Sequence, residues 1–326
     1  MKPGDLLADR FRLDAVLDNT SDFSTVWIGD DTVLQRPVAI RTLKLSDHRT
    51  AQVLTGAQRA AEINDPSCVH VLDIGRAEEF NTAFIVTAYI QADTLSDVLA
   101  DGPLDAVEAA DLVAEIADTI ARVHDRGIAH GCLDPLQILL APTGDAIVLG
   151  LGTALAVHHP ERDAEMVDDV RSLGAMLYAC LTARWPMPSS TGLPAAVRDG
   201  ADLVPPRKAR AHVPTPLDRL CRRALGETVA GEEPFDNARE FSVALRAHLT
   251  RSGTTAAQRL DRRRSTGPVT TLKGVRQQGR RGVIALIALA VSIVIGGLLL
   301  LGVQVLNSVF SEPGGSPPPG PAATNR

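Results

Sequence analysis

The chain has 326 residues, a formal net charge of −6, and 45% hydrophobic residues with only 3% aromatics. That length suits one two-lobed domain or two modest ones, with a core built from aliphatic side chains. The acidic balance argues against nucleic-acid binding. Four scattered cysteines without a C-x-x-C pair argue against a disulfide framework or a thiolate metal site, and favour reduced cytosolic thiols.

Residues 1–14 lack the apolar run of a signal peptide. Short β-type runs follow at 11–17, 24–31, 36–44, 69–75 and 83–90, split by turn residues. One helix is expected among them, at about 47–63. From residue 92 the pattern turns helical. Val107, Leu112, Val113, Ile116, Ile120 and Val123 recur near the helical period, with Gly127 beyond the end. Further helices are expected at 167–185, 217–226 and 238–249. The expectation is an α+β, two-lobed domain over 1–250, β-rich to about residue 90 and helical from about 91.

Residues 251–281 are polar and basic, and read as a disordered juxtamembrane linker. The run 283–303 carries no charge and matches the roughly 20 apolar residues that a membrane-crossing helix needs. Arg262, Arg263, Arg264, Lys273, Arg276, Arg280 and Arg281 precede it, so the positive-inside rule places the large N-terminal part in the cytoplasm. The expected location is the plasma membrane, with a single span. The Pro/Gly-rich tail 304–326 lies outside and is too short to fold.

The stretch HGCLDPLQILL, residues 130–140, carries the most chemistry. It resembles the catalytic loop H-R-D-L-x-x-x-N of the bacterial, actinobacterial-type serine/threonine protein kinase family. His130, Leu133, Pro135, Ile138, Leu139 and Leu140 keep the frame, but Cys132 stands at the Asp position and Gln137 at the Asn position. VAIR at 38–41 resembles the family's V-A-I-K, with Arg41 for Lys. LDNTSDFSTVW at 17–27 replaces the glycine-rich loop without a glycine, and reads better as a polar hairpin with Asp18 and Asp22 where phosphates would lie. If Asp65–Pro66 matches the family's H-P turn, Gly56 falls at the helix Glu, and Glu62 is the nearest acid. Gly150–Leu151–Gly152 aligns with D-F-G. Only 16 residues separate Gly152 from Asp169, the expected helix-anchoring acid, and no A-P-E motif follows. Val26, Ala39, Leu139 and the gatekeeper position Thr87 would line any residual adenine slot.

The resemblance implies a kinase-like fold but argues against kinase chemistry. A thiol with a free pKa of about 8.5 is a weak base at Cys132. Asp134 is a conceivable migrated base. Without the two metal-binding positions the chain is expected to have no magnesium site and weak or absent ATP binding, and not to be an enzyme. The layout is similar to the pseudokinase module that accompanies the lipid II flippase in some actinobacteria. That similarity implies a membrane-anchored scaffold, phosphorylated in its linker by an active serine/threonine kinase and read by a forkhead-associated domain. Thr270 and Thr271 are the preferred phosphosites. The alternatives are a metal-independent nucleotide-binding switch and an atypical active kinase using Arg41.

Overall fold

The computed structural model describes residues 1–163, 165–188 and 191–253. The expected span at 283–303, the tail, Thr270, Thr271 and most of the linker lie outside these residues. Among the described residues, no helix is long and apolar enough to cross a membrane.

The N-terminal part is a six-stranded antiparallel sheet. Its strands are β1 (Leu6–Leu7), β2 (Phe11–Asp18), β3 (Ser24–Asp31), β4 (Arg36–Lys44), β5 (Val71–Ala77) and β6 (Thr82–Ala88), in the order β1-β2-β3-β4-β6-β5. Helix α1 (Arg49–Ala61) crosses between β4 and β5. The sheet has two distinct faces, set by the two-residue period of a strand. Trp27, Val38, Ile40, Phe84 and Val86 share one face and pack with Phe11 and Leu13. Val26, Ala39, Arg41, Leu43, Ile85 and Thr87 share the other, since Val26 and Ile85 both pair with Arg41 and Thr87 pairs with Ala39. The loop before β2 is tied down by Arg10, whose guanidinium donates two 2.8 Å hydrogen bonds to the fully buried Asp31.

The helical part contains α2 (Leu95–Ala100), α3 (Ala106–His124), α4 (Ala154–His158), α5 (Met166–Thr182), α6 (Pro206–Ala209), α7 (Thr215–Ala224) and α8 (Ala238–Arg251). Asp105 caps α3 by accepting from Val107 N at 2.9 Å, and Asn237 caps α8 by accepting from Glu240 N at 2.9 Å. Such caps satisfy amide donors that the first turn leaves unpaired. Helices α3 and α8 pack together, with Asp118 of α3 engaging Arg246 and Ser242 of α8. The core here is dominated by α3 and α5, with Ile116, Ile120, Leu173, Met176 and Tyr178 fully buried.

The expected strands and long helices fall within a few residues of the observed ones. The elements missed are short. A three-stranded sheet of β7 (Asp93–Thr94), β8 (Ile138–Leu140) and β9 (Ala146–Val148) lies within the region read as helical. Runs of two or three residues are too short to show a period, and this sheet forms because distant segments are brought into register. It matters for the site because the β8–β9 hairpin lies between Gln137 and Gly150 and brings them side by side.

Candidate active site

The segment 130–140 is positioned by one carboxylate. Asp169, on the first turn of α5, is fully buried and accepts the backbone N–H of His130 at 2.7 Å and of Gly131 at 2.8 Å. His124 Nε2, from the end of α3, lies 2.8 Å from the same carboxylate. The His130 ring, 1% exposed, reaches Leu149 O at 2.7 Å, which ties the segment to the chain entering Gly150. Charge-assisted bonds of this kind are stronger than neutral ones. The sequence expectation for His130 and Asp169 as framework residues thus has a geometric basis.

The chemical positions on that frame differ. Burial pushes the Cys132 thiol up to about 11, with the Asp134 charge adding to the effect, so the thiolate is scarce near neutrality. Asp134 accepts N–H bonds from Leu136 at 2.8 Å and Gln137 at 3.3 Å, capping the short turn that follows. Burial nevertheless raises its pKa above the ordinary carboxylate value, outweighing those hydrogen bonds. Gln137 and Gly150 form a matched pair. Gly150 has φ +72°, and a Cβ placed there would collide with Gln137 Oε1 and with the Ala154 methyl. The longer amide therefore fills the space where an aspartate at position 150 would begin. A neutral amide beside a glycine does not fit a magnesium ion, which prefers charged oxygen ligands. Among the described residues, no group of three or more His, Cys, Asp or Glu side chains is placed to hold a metal ion.

Gly56 has an equally definite role. A Cβ at Gly56 would meet the carbonyl of Gly152, and one at Gly152 would meet the carbonyl of Gly56. Helix α1 thus touches the 150–152 turn backbone to backbone, at the place where the kinase resemblance expects a glutamate. Arg41 turns elsewhere, donating to Ser24 Oγ at 2.8 Å. Burial lowers its pKa from the usual arginine value, opposed in part by the charge of Asp18. Among the described residues Arg41 has no carboxylate within ion-pair distance.

The loop at 19–23 joins β2 to β3 as the expected polar hairpin. Asp22 does not stand free in the cleft, because its carboxylate pairs with Arg49 at 2.9 Å and its carbonyl accepts from Lys44 Nζ at 2.6 Å. Phe23 is buried, with the Arg49 guanidinium 3.8 Å above its ring. Sequence reasoning passed over Ser24, Phe23 and Arg49. The signal available was the alternation of β3, which sends Ser24 and Val26 to the Arg41 face.

Val26, Ala39 and Thr87 lie on that same face, with Thr87 Oγ1 3.5 Å from Ala39 O. All three are half-buried, whereas Val38, Ile40 and Val86 on the opposite face are fully buried. Val26, Ala39 and Thr87 are therefore the less covered end of that face, whose other end, at Leu43 and Ile85, is buried against α1. Leu139, 8% exposed, belongs to β8 in the helical part.

The family model described as "Lipopolysaccharide kinase (Kdo/WaaP) family" matches residues 56–151. The chain is 30% identical to serine/threonine-protein kinase PknB of Mycolicibacterium smegmatis, over 75% of this chain and 43% of that protein. It is 26% identical to a probable PknB of Corynebacterium glutamicum, over 78% and 44%, and 26% identical to PrkC of Bacillus subtilis, over 69% and 38%. The chain spans less than half the length of these curated relatives. Its homologues are bacterial serine/threonine kinases, and its α+β domain is kinase-like. The expectation that the chain is not an enzyme is corrected by these findings, since the relatives are named as kinases and the matching family model is also that of a kinase. Loss of individual site residues is a weaker guide to class than similarity along three quarters of the chain.

Proposed function

We propose that the chain is a membrane-anchored, kinase-like signalling scaffold that binds nucleotide phosphates through Arg41 without a metal ion. The carrying observation is Arg41 itself, a half-buried residue on the sheet face that also carries Val26 and Ala39, its guanidinium bonded to Ser24 and without an ion-pair partner among the described residues. An incompletely compensated cation in such a place is stabilised by an anion that reaches it. Val26, Ala39 and Thr87 on the same face are the proposed wall for a base, with Leu139 of β8 as its proposed other side. Gln137 and Gly150 do not fit magnesium, so the proposed contact to phosphate is made by Arg41 alone.

Thermal melting of the full-length chain with ATP and a chelator tests this reading. Binding to the folded state alone stabilises by about 2.7 kcal/mol at a hundredfold excess over Kd. For a domain of this size that is a rise of about 5–10 °C. Arg41→Gln is expected to abolish the rise. No shift in the wild-type chain would overturn the reading, and a shift that required magnesium would overturn its metal-free character.

A second reading, an atypical kinase, is favoured by Asp134. It is the carboxylate on the 130–140 loop, and burial raises its pKa above the ordinary carboxylate value, the direction that makes a carboxylate a stronger base. Asp134→Asn keeps a side chain able to cap the 135–137 turn. It is expected to lower transfer of labelled phosphate from ATP to the chain or to a basic protein substrate by about a hundredfold. Equal transfer by the variant, or none by the wild type, removes this reading.

The apolar run 283–303 and the arginines before it support anchorage in the plasma membrane with this domain on the cytoplasmic side. Thr270 and Thr271 are the proposed phosphosites for an active serine/threonine kinase. A forkhead-associated domain is the proposed reader, since phosphate adds charge that such modules recognise. The proposed setting is control of peptidoglycan synthesis, which rests on the similarity of layout noted above.

A further inference from the structure

Helix α8 has two unlike sides. Phe241, Leu245 and Leu249 are fully buried in the core, whereas Val243 is 61% exposed and Ala247, one turn on, is half-buried. Val243, Ala244 and Ala247 line a groove of about 530 Å3 together with Phe235 and Arg223. The Arg223 guanidinium lies 4.1 Å over the Phe235 ring and donates to Glu233 O at 2.7 Å, which fixes that wall. Acids stand at the same place. Glu240 lines the groove, and Glu233 and Asp236 lie in the turn that supplies Phe235. All three are exposed, and none has an ion-pair partner among the described residues. The two arginines beside them, Arg223 and Arg239, pair instead with Glu232 and Asp125. The end of α8 also turns the chain. Gly253 has φ +71°, and the N–H groups of Ser252 and Gly253 donate back to His248 O and Thr250 O. A left-handed residue just past the last turn stops a helix and takes the chain off its axis.

We propose that this groove is the docking site of the chain's own residues 256–264, with Leu260 against Val243 and Phe235, and Arg262, Arg263 and Arg264 against Glu233, Asp236 and Glu240. The sequence pattern matches the groove. Leu260 is the one large apolar residue between 254 and 268, and arginines stand on both sides of it, at 259 and at 262–264. The lengths match as well. Val243 lies eight residues before Arg251, about 12 Å along the helix. The seven residues from Gly253 to Leu260 span up to about 23 Å when extended, so the segment can run back along α8 and reach the groove. A segment tethered this closely acts at an effective concentration on the order of millimolar, which favours it over the same segment from a second copy. Docking draws the arginine run onto the domain. The free tether then begins near residue 265, ahead of Thr270 and Thr271. None of this depends on the phosphate-binding reading of Arg41.

Disulfide trapping in the full-length chain tests the docking. Leu260→Cys is combined with Val243→Cys or, as the control, with Thr250→Cys, and the linked pair is identified by peptide mass. Position 250 is seven residues on, so it shares the face of α8 with Val243 but lies nearer to Gly253, and both positions are exposed. A segment that moved freely would meet the nearer site more often. Docking reverses that order, so the Val243 pair is expected to link about tenfold faster under mild oxidation. Equal rates, or faster linkage to position 250, overturn the docking. Linkage between two chains, seen as a covalent dimer, overturns the assignment to the chain's own segment. Replacing Arg262, Arg263 and Arg264 together by glutamate is expected to remove the preference for position 243 at low salt. An unchanged preference overturns their contact with the acidic rim. Hydrogen exchange without added cysteines gives an independent reading. Leu260→Asp is expected to speed exchange about tenfold across 254–264 while α3 and α5 keep their protection. Equal exchange in the two proteins overturns the docking.

Discussion

Replacing Gly56 by glutamate, the residue that the kinase resemblance places there, is expected to destabilise the domain rather than restore an ion pair with Arg41. The collision is with the carbonyl of Gly152 and begins at the Cβ, before any carboxylate is reached. Relief requires α1 to move away from the 150–152 turn, which would pull Val53 and Ala57 from their contacts with Ala156 and Val157. Overpacking of this kind, with backbone on both sides, costs about 3 kcal/mol. In a domain of this size that corresponds to a fall in Tm of about 6–12 °C. Gly56→Ala sharpens the test. If the Cβ alone is responsible, alanine and glutamate lower Tm by similar amounts. If a glutamate here could still reach Arg41, glutamate would be the milder of the two. A Tm unchanged by either substitution would mean that α1 and the turn are not in contact in solution.

Gly56 and Gly150 show how far the sequence could be read. That Gly56 and Gly150 occupy positions where the resemblance expects acids is visible in the chain itself. Why glycine stands there is not, because the reason lies in a partner distant in sequence. Gly56 meets Gly152, and Gly150 makes room for the Gln137 amide. The strands and long helices were legible because nine residues of β4 or nineteen of α3 display a period. Helix α4 and the β7-β8-β9 sheet were not, since their five, two and three residues carry no periodic signal and are fixed by tertiary contacts. Asp22 is the complementary case. Its charge was legible, but its engagement by Arg49 depends on the loop folding onto α1. Charge at a position suggests a repulsion, and only the fold reveals whether a counter-ion has already cancelled it.

Asp169→Asn is expected to have an effect as large as Gly56→Glu, through a different cause. The carboxylate accepts from His130 N and Gly131 N and faces His124 Nε2, all within 2.8 Å and away from solvent. An asparagine amide has one acceptor oxygen, and its NH2 must then face at least one of these donors. Each buried donor left unsatisfied costs about 1–3 kcal/mol, so a loss of about 3 kcal/mol and a fall in Tm on the order of 10 °C follow. Asp168, the neighbouring acid on α5, provides the control. It pairs with Arg162 at 3.1 Å and Arg171 at 3.0 Å, and all three side chains keep access to water. Exposed pairs of this kind contribute about 0–1 kcal/mol, so Asp168→Asn is expected to shift Tm by a few degrees at most. Hydrogen exchange should also rise across 130–140 in the Asp169 variant alone, because that segment loses its anchor. Equal effects at the two positions would mean that burial at Asp169 does not set its importance. The contrast separates the residue that anchors the loop from those that stand on it. Asp169 holds the loop from inside the protein, where its removal leaves donors without partners. Cys132 and Gln137 stand on the loop so held, and their side chains can differ from the kinase pattern while the anchor beneath them stays intact.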